Sequence, residues 1–265
     1  MTDAPTPDEA AAPPSPVPDR LSRFADPRLT LASLAIAGLA LIVAALPLLN
    51  GGDFGGRVRA YLLANPQVLD EVVQARDLRA NADRVNGLTE AARANPSLLK
   101  PGPNEPAFGP VDAKVTVVEY FDYRCPYCKV AAPGYLELIR TNPDVRFVFR
   151  EWPILDREGE IVSQYAARAA LAAHGQGKYL AVHQALMAEQ ALTPESIDAI
   201  LAENGVTIGA SREGLQTPQV AQVLADVQIG ATQMGLDATP TFFVNGQAMA
   251  SNDPAEIAKA IQAAR

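Results

Sequence analysis

Val115-Thr116-Val117-Val118-Glu119-Tyr120-Phe121-Asp122-Tyr123-Arg124-Cys125-Pro126-Tyr127-Cys128 is the stretch that decides the fold. Residues 115–121 are almost all apolar and β-favouring, which predicts a buried strand. The chain holds two cysteines in 265 residues, and both stand at the end of this stretch. Neither has a second partner within the chain. A pair two residues apart closes a small ring that is easily reopened, which suits exchange rather than stapling. Proline fits best at the first position inside a helix. With Pro126 there, Cys125 becomes the N-cap and its sulfur meets the free N–H groups and positive end of the helix dipole. A free thiol ionises near 8.5, whereas comparable sites fall to roughly 3.5–7.5. Cys125 is therefore the expected nucleophile. Cys128, in the first turn and less exposed, is the expected resolving thiol. A zinc knuckle would need two more ligands, and the histidines, His174 and His183, are nine residues apart, a spacing of no common finger. No metal and no other cofactor is expected.

Around this stretch the chain divides by composition. It is 48% hydrophobic, enough for a sizeable core, and its net charge of −8 with no basic, aromatic-interleaved block excludes nucleic acid as a partner. Residues 1–28 are rich in Pro, Ala and acids and read as a disordered cytoplasmic tail ending in Arg20, Arg23 and Arg28. Residues 29–49 are uncharged and apolar, long enough for the roughly 20 residues that cross a bilayer. Arginines before the run place everything after it on the outer face. The expectation is a single-pass anchor in a bacterial inner membrane with the main domain in the periplasm. A cleaved signal at Val43-Ala44-Ala45 is the competing reading, and leaves a periplasmic protein.

Residues 50–100 open on a glycine-rich hinge and then read as a polar helical segment, with Asn65-Pro66 and Asn95-Pro96 as repeated helix starts. They carry too few large apolar residues for a core of their own. A plain stalk and a homo-oligomerising segment over 57–100 both fit. Residues 101–110 read as a Pro/Gly linker and 111–265 as the main domain. In that domain a second strand is expected over 145–150 and helices near 161–173, around Tyr179-Leu186, from Thr193 and around Val220-Val227. Pro133 is expected to kink the helix that follows the cysteines. A strand over 241–244, an Asn245-Gly246 hairpin returning over 247–251 and a last helix capped by Asp253 or Asn252 complete the order. His183, on an apolar helix face, reads as a core residue, and His174 as a helix end.

Cys125-Pro126-Tyr127-Cys128, Phe149-Arg150-Glu151-Trp152-Pro153 and Ala238-Thr239-Pro240-Thr241-Phe242, in that order, resemble the DsbA family of thiol–disulfide oxidoreductases. Tyr61 to Leu69 is similar to the N-terminal oligomerisation segment of its ScsC-like branch. The resemblance covers roughly residues 57–265. It implies an α/β thioredoxin fold with a helical insertion at about 156–235. It implies disulfide exchange with cysteine-containing proteins, as oxidase or isomerase, and a membrane or periplasmic redox partner that resets the pair. Pro240 matches the family's cis-proline, with Thr239, Pro126 and Tyr127 beside the substrate. Glu119, six residues before Cys125 and facing as Val117 and Phe121 do, matches the family's buried acid, which relays the proton of Cys128. The alternative is a copper- or substrate-binding protein using Cys125 and Cys128 as soft ligands.

Overall fold

The computed structural model describes residues 27–49, 54–208 and 215–265. The tail expected over 1–28 lies outside them except for its last two residues, as does most of the glycine-rich hinge. The chain divides into two units, residues 1–72 and 73–265.

The first unit holds α1 (Pro27–Leu49), α2 (Phe54–Ala64) and the start of α3 (Gln67–Ala94). Among the described residues no helix is long and apolar enough to cross a membrane. The span expected over 29–49 is thus not shown there; α1 has 23 residues, Pro27–Leu49. Leu31, Leu34, Ile36, Leu39 and Leu41 are all exposed along it. α2 buries no residue, and Phe54, Tyr61, Leu63, Leu69 and Val72 are exposed.

The second unit is built on five strands: β1 (Ala107–Phe108), β2 (Thr116–Phe121), β3 (Arg146–Glu151), β4 (Thr241–Val244) and β5 (Gln247–Ala248), in the order β1-β3-β2-β4-β5. β2 and β3 run parallel, and the other three pairs are antiparallel. Strand side chains alternate between faces. Val117, Phe121, Phe147, Phe149, Phe242 and Val244 share one face with α4 (Pro126–Thr141), α5 (Val162–His174), α6 (Tyr179–Ala188), α7 (Pro194–Glu203) and α9 (Pro254–Ala263). Val118, Tyr120, Val148 and Phe243 form the other face, covered by α8 (Pro218–Met234), the end of α3 and a 3-10 turn at Pro96–Leu99. β2 and β3 are covered on both sides, which suits their apolar runs Val117-Val118 and Phe147-Val148-Phe149; Glu119, Arg150 and Glu151 are charged residues buried with them.

Local chemistry sets the element ends. Thr193 and Ser196 form a reciprocal capping box at α7, Thr217 caps α8 and Asp253 caps α9. Asn245 and Gly246 both take positive φ, 47° and 82°, the two left-handed residues that a tight hairpin between β4 and β5 demands. α4 continues through Pro133 to Thr141. A Cβ on Gly134 would stand 2.4 Å from Pro254 Cγ, so glycine is what lets α9 close on α4.

The return strand is two residues long rather than five, and its outer edge lies against α3. Thr89 Oγ1 accepts the Ala248 N–H at 3.0 Å, and Leu88 and Ala92 are buried beside it. The stretch 101–110, read as a linker, carries β1 and a buried ion pair. Phe108 packs between Phe149 and Tyr179, and Glu105 meets Arg150 at 3.0 Å. A two-residue strand has no period of its own; the open edge of β3 creates it.

Candidate active site

Cys125 is the N-cap of α4 and Pro126 its first residue, so the pair stands where β2 hands over to the helix. Neither sulfur is at the surface: Cys125 is 3% exposed and Cys128 0%. The expected order of burial holds, but Cys125 lies under cover, not in the open. Tyr127, between them, is 67% exposed. The two cysteines are free, not joined in a disulfide.

The Thr239–Pro240 peptide is cis, and the Thr239 carbonyl stands 3.2 Å from Cys125 Sγ. As an acceptor, that carbonyl engages the protonated thiol. The Cys125 pKa is nevertheless pulled down to about 6. The largest cause is a hydrogen bond from the Cys128 thiol; the N–H groups of Cys128 and Tyr127 add to it, and burial opposes them. Sγ makes no formal capping bond, so the amides act on it as aligned dipoles. Cys128 moves the other way. Burial comes first, then its hydrogen bond to Cys125 and the neighbouring Glu119 charge, and all three hold it as a thiol.

Glu119 lies on the covered face of β2, opposite Phe149 and Phe242, at 1% exposure. Neither carboxyl oxygen has a hydrogen-bond partner within the protein. Burial, with a smaller push from Cys125, raises its pKa to about 8. The structure thus brings Cys125, Cys128, Glu119, Thr239 and Pro240 to one end of β2, and Pro126 and Tyr127 above them.

Several residues that periodicity did not single out complete the surroundings. Asp122 is buried and ties the loop down: Oδ1 accepts from the Arg124 N–H and Ser163 hydroxyl, Oδ2 from the Ile154 and Leu155 N–H groups. Glu151 is buried two residues further along the same face than Phe149. Its Oε1 accepts from Tyr123 and Tyr179 at 3.0 and 2.8 Å, while burial pushes its carboxyl well up. His183 Nδ1 lies 3.0 Å from the Tyr123 hydroxyl, and burial holds the ring neutral with a pKa near 3. His183 is a core residue and His174 ends α5, as expected from their positions. Lys129 donates to the carbonyls of Leu186 and Glu189, which joins α4 to the end of α6. An acid in the run Phe149-Arg150-Glu151-Trp152-Pro153 was the one sequence signal for this second polar group.

Beside the cysteines a cleft of about 290 Å³ is lined by Tyr127, Thr239, Pro240, Phe242, Ser251 and Arg84, among others. Arg84 belongs to α3, outside the stretch read as the main domain.

Known proteins match this arrangement. The family model described as thioredoxin covers residues 102–263, and the model described as the copper resistance protein ScsC N-terminal domain covers 53–82. A thioredoxin-like oxidoreductase from Silicibacter pomeroyi is 36% identical, with a TM-score of 0.58 over 64% of this chain and 98% of that one. BcfH from Salmonella enterica Typhimurium is 27% identical, with a TM-score of 0.60 over 84% of this chain and 99% of that one. ScsC from Proteus mirabilis, 23% identical with a TM-score of 0.58 over 86% and 97%, shares the fold. A curated relative, the Na(+)/H(+) antiporter NhaA 1 of Salinispora arenicola, is 38% identical over 140 residues, 52% of this chain; the chain spans about a fifth (21%) of that protein's length. The chain belongs to the thioredoxin family and is similar to its DsbA/ScsC-like members.

Proposed function

We propose that the chain exchanges disulfides with periplasmic proteins through Cys125 as nucleophile and Cys128 as resolving thiol. The observation that carries this is the placement of two sulfurs one helical turn apart, Cys125 at the N-cap of α4 beside the Thr239 carbonyl and Cys128 buried in the first turn, an arrangement that pulls the Cys125 pKa down to about 6 and that of Cys128 upward. At neutral pH Cys125 is largely the anion and Cys128 the thiol that stabilises it.

Starting from the reduced pair, the Cys125 thiolate attacks a substrate disulfide. One substrate sulfur leaves as a thiolate and a mixed disulfide forms. Cys128 then attacks Cys125, releasing the second substrate sulfur, and the pair ends oxidised as the substrate ends reduced. The proton of Cys128 passes to Glu119, whose pKa of about 8 suits both states near neutrality. Oxidation of a substrate dithiol is the same path reversed, with Glu119 returning the proton. The Thr239 carbonyl beside Cys125 supplies a strand-like partner for a substrate backbone. Thiolate stabilisation favours the reduced pair, which favours the oxidising direction. A membrane or periplasmic redox partner then resets it.

The exposed apolar side chains of α2 and the first half of α3, together with the ScsC-type match over 53–82, support self-association through this segment. Several cysteine pairs around one space favour isomerisation. Analytical ultracentrifugation of residues 51–265 tests this, and a clean monomer counts against it. The uncharged run 29–49, preceded by three arginines, supports a membrane anchor; alkaline carbonate extraction of membranes that leaves the chain in the pellet is the expected result.

The central test is reduction of insulin and reactivation of scrambled ribonuclease by the protein and by Cys125→Ser. Loss of both activities in the variant is expected. Equal activity would leave metal binding by the thiols as the better account.

A further inference from the structure

We propose that Arg84 selects substrates, favouring segments that carry an acidic side chain next to their reactive cysteine. The inference rests on the disulfide-exchange reading above and names its substrate class.

The placement comes from one face of α3. Asn81, Arg84, Leu88 and Ala92 follow at helical spacing and so lie on one side. Leu88 and Ala92 are buried against the sheet with Val118, Phe243 and Ala248, which fixes the helix there. Asn81 works at both ends of its amide. Its Nδ2 donates to the Ala250 carbonyl at 3.0 Å, and its Oδ1 accepts from Arg84 Nη2 at 3.2 Å. The guanidinium is thus held over residues 249–252, in the wall of the cleft that runs past Tyr127, Thr239 and Pro240.

Among the described lining residues of that cleft, Arg84 alone carries a charge. The others are aromatic, aliphatic or neutral polar. A substrate strand that pairs with Thr239 brings its cysteine to Cys125 Sγ, 3.2 Å from the Thr239 oxygen, and its flanking side chains to the cleft. A guanidinium has five N–H donors in a planar fork, a match for a carboxylate. The contact to Asn81 orients it and leaves donors over. A lysine or arginine on the substrate would meet a like charge instead. Arg84 lies in the stretch 83–101, which neither family model covers. The cleft is completed by the N-terminal segment rather than by the thioredoxin domain alone.

The test uses the full chain, oxidised, in detergent, and three dithiol peptides. They differ only in the residues beside the first cysteine: Asp-Glu, Ser-Gln or Lys-Lys. In each reaction the peptide's two thiols become its disulfide as the Cys125–Cys128 disulfide becomes two thiols. At low salt the acidic peptide should be oxidised about three- to fivefold faster than the basic one, the size of one partly exposed ion pair. Arg84→Gln should bring this ratio close to one, and Arg84→Glu should invert it. High salt should shrink it in the parent protein. A ratio taken on one protein cancels any general loss of active material. If all three peptides are oxidised at ratios that ignore residue 84, the proposal fails and the exchange chemistry stands. If none is oxidised, the exchange reading itself fails and takes the proposal with it.

Discussion

Replacing Glu119 by Gln should stabilise the reduced protein in a way that grows with pH. The carboxyl is almost fully covered and has no hydrogen-bond partner within the protein, and its pKa rises from the ordinary 4.5 to about 8. An acid whose folded pKa is raised holds its proton longer in the folded state than in the unfolded chain. Between these two values the unfolded state therefore binds fewer protons, and stability falls as pH rises. At 1.36 kcal/mol per unit, the cost of Glu119 is about 1 kcal/mol at pH 5 and about 4 kcal/mol at pH 8, where it is nearly complete. Gln removes the titration and leaves only a pH-independent difference. Cys125 and Cys128 also titrate, but they do so in both proteins and largely cancel. Urea unfolding of the reduced protein and of Glu119→Gln at pH 5 and pH 8 should thus give a stability difference that shifts towards the variant by roughly 3 kcal/mol. A shift under about 0.5 kcal/mol would mean that Glu119 ionises normally, and the proton relay would lose its basis.

The rate of Cys125 alkylation by iodoacetamide should rise with pH around a midpoint near 6, with Cys128 unreacted below pH 9; a midpoint above 8 would remove the stabilised thiolate. Asp122→Ala should cost about 3 kcal/mol or more in chemical denaturation, because four donors lose one buried acceptor; a loss under 1 kcal/mol would show that water replaces it. Gly134→Ala should cost about 1–3 kcal/mol by pushing α9 from α4, and an unchanged midpoint would mean that Pro254 yields freely.

The sequence alone determined the strand over β2, the helix start at Pro126, the reactive role assigned to the cysteines, the caps at Thr193 and Asp253 and the Asn245-Gly246 turn. These follow from neighbours a few residues apart, where proline, glycine and capping side chains act directly on the backbone. The alternation along β2 also told that Glu119 shares a face with Phe121. Only the tertiary structure decided what lies on the far side of those faces. β1 exists because β3 offers an edge, the outward Ala248 N–H of β5 is taken by Thr89 of α3, and Asp122 matters because residues 154, 155 and 163 come to it. Glu151, Tyr123, Tyr179 and His183 form one buried group from three separate segments. Arg84 reaches the cleft from more than forty positions upstream of Cys125. Burial, and with it the displacement of a pKa, depends on everything packed around a group, and no local pattern of residues encodes that surrounding.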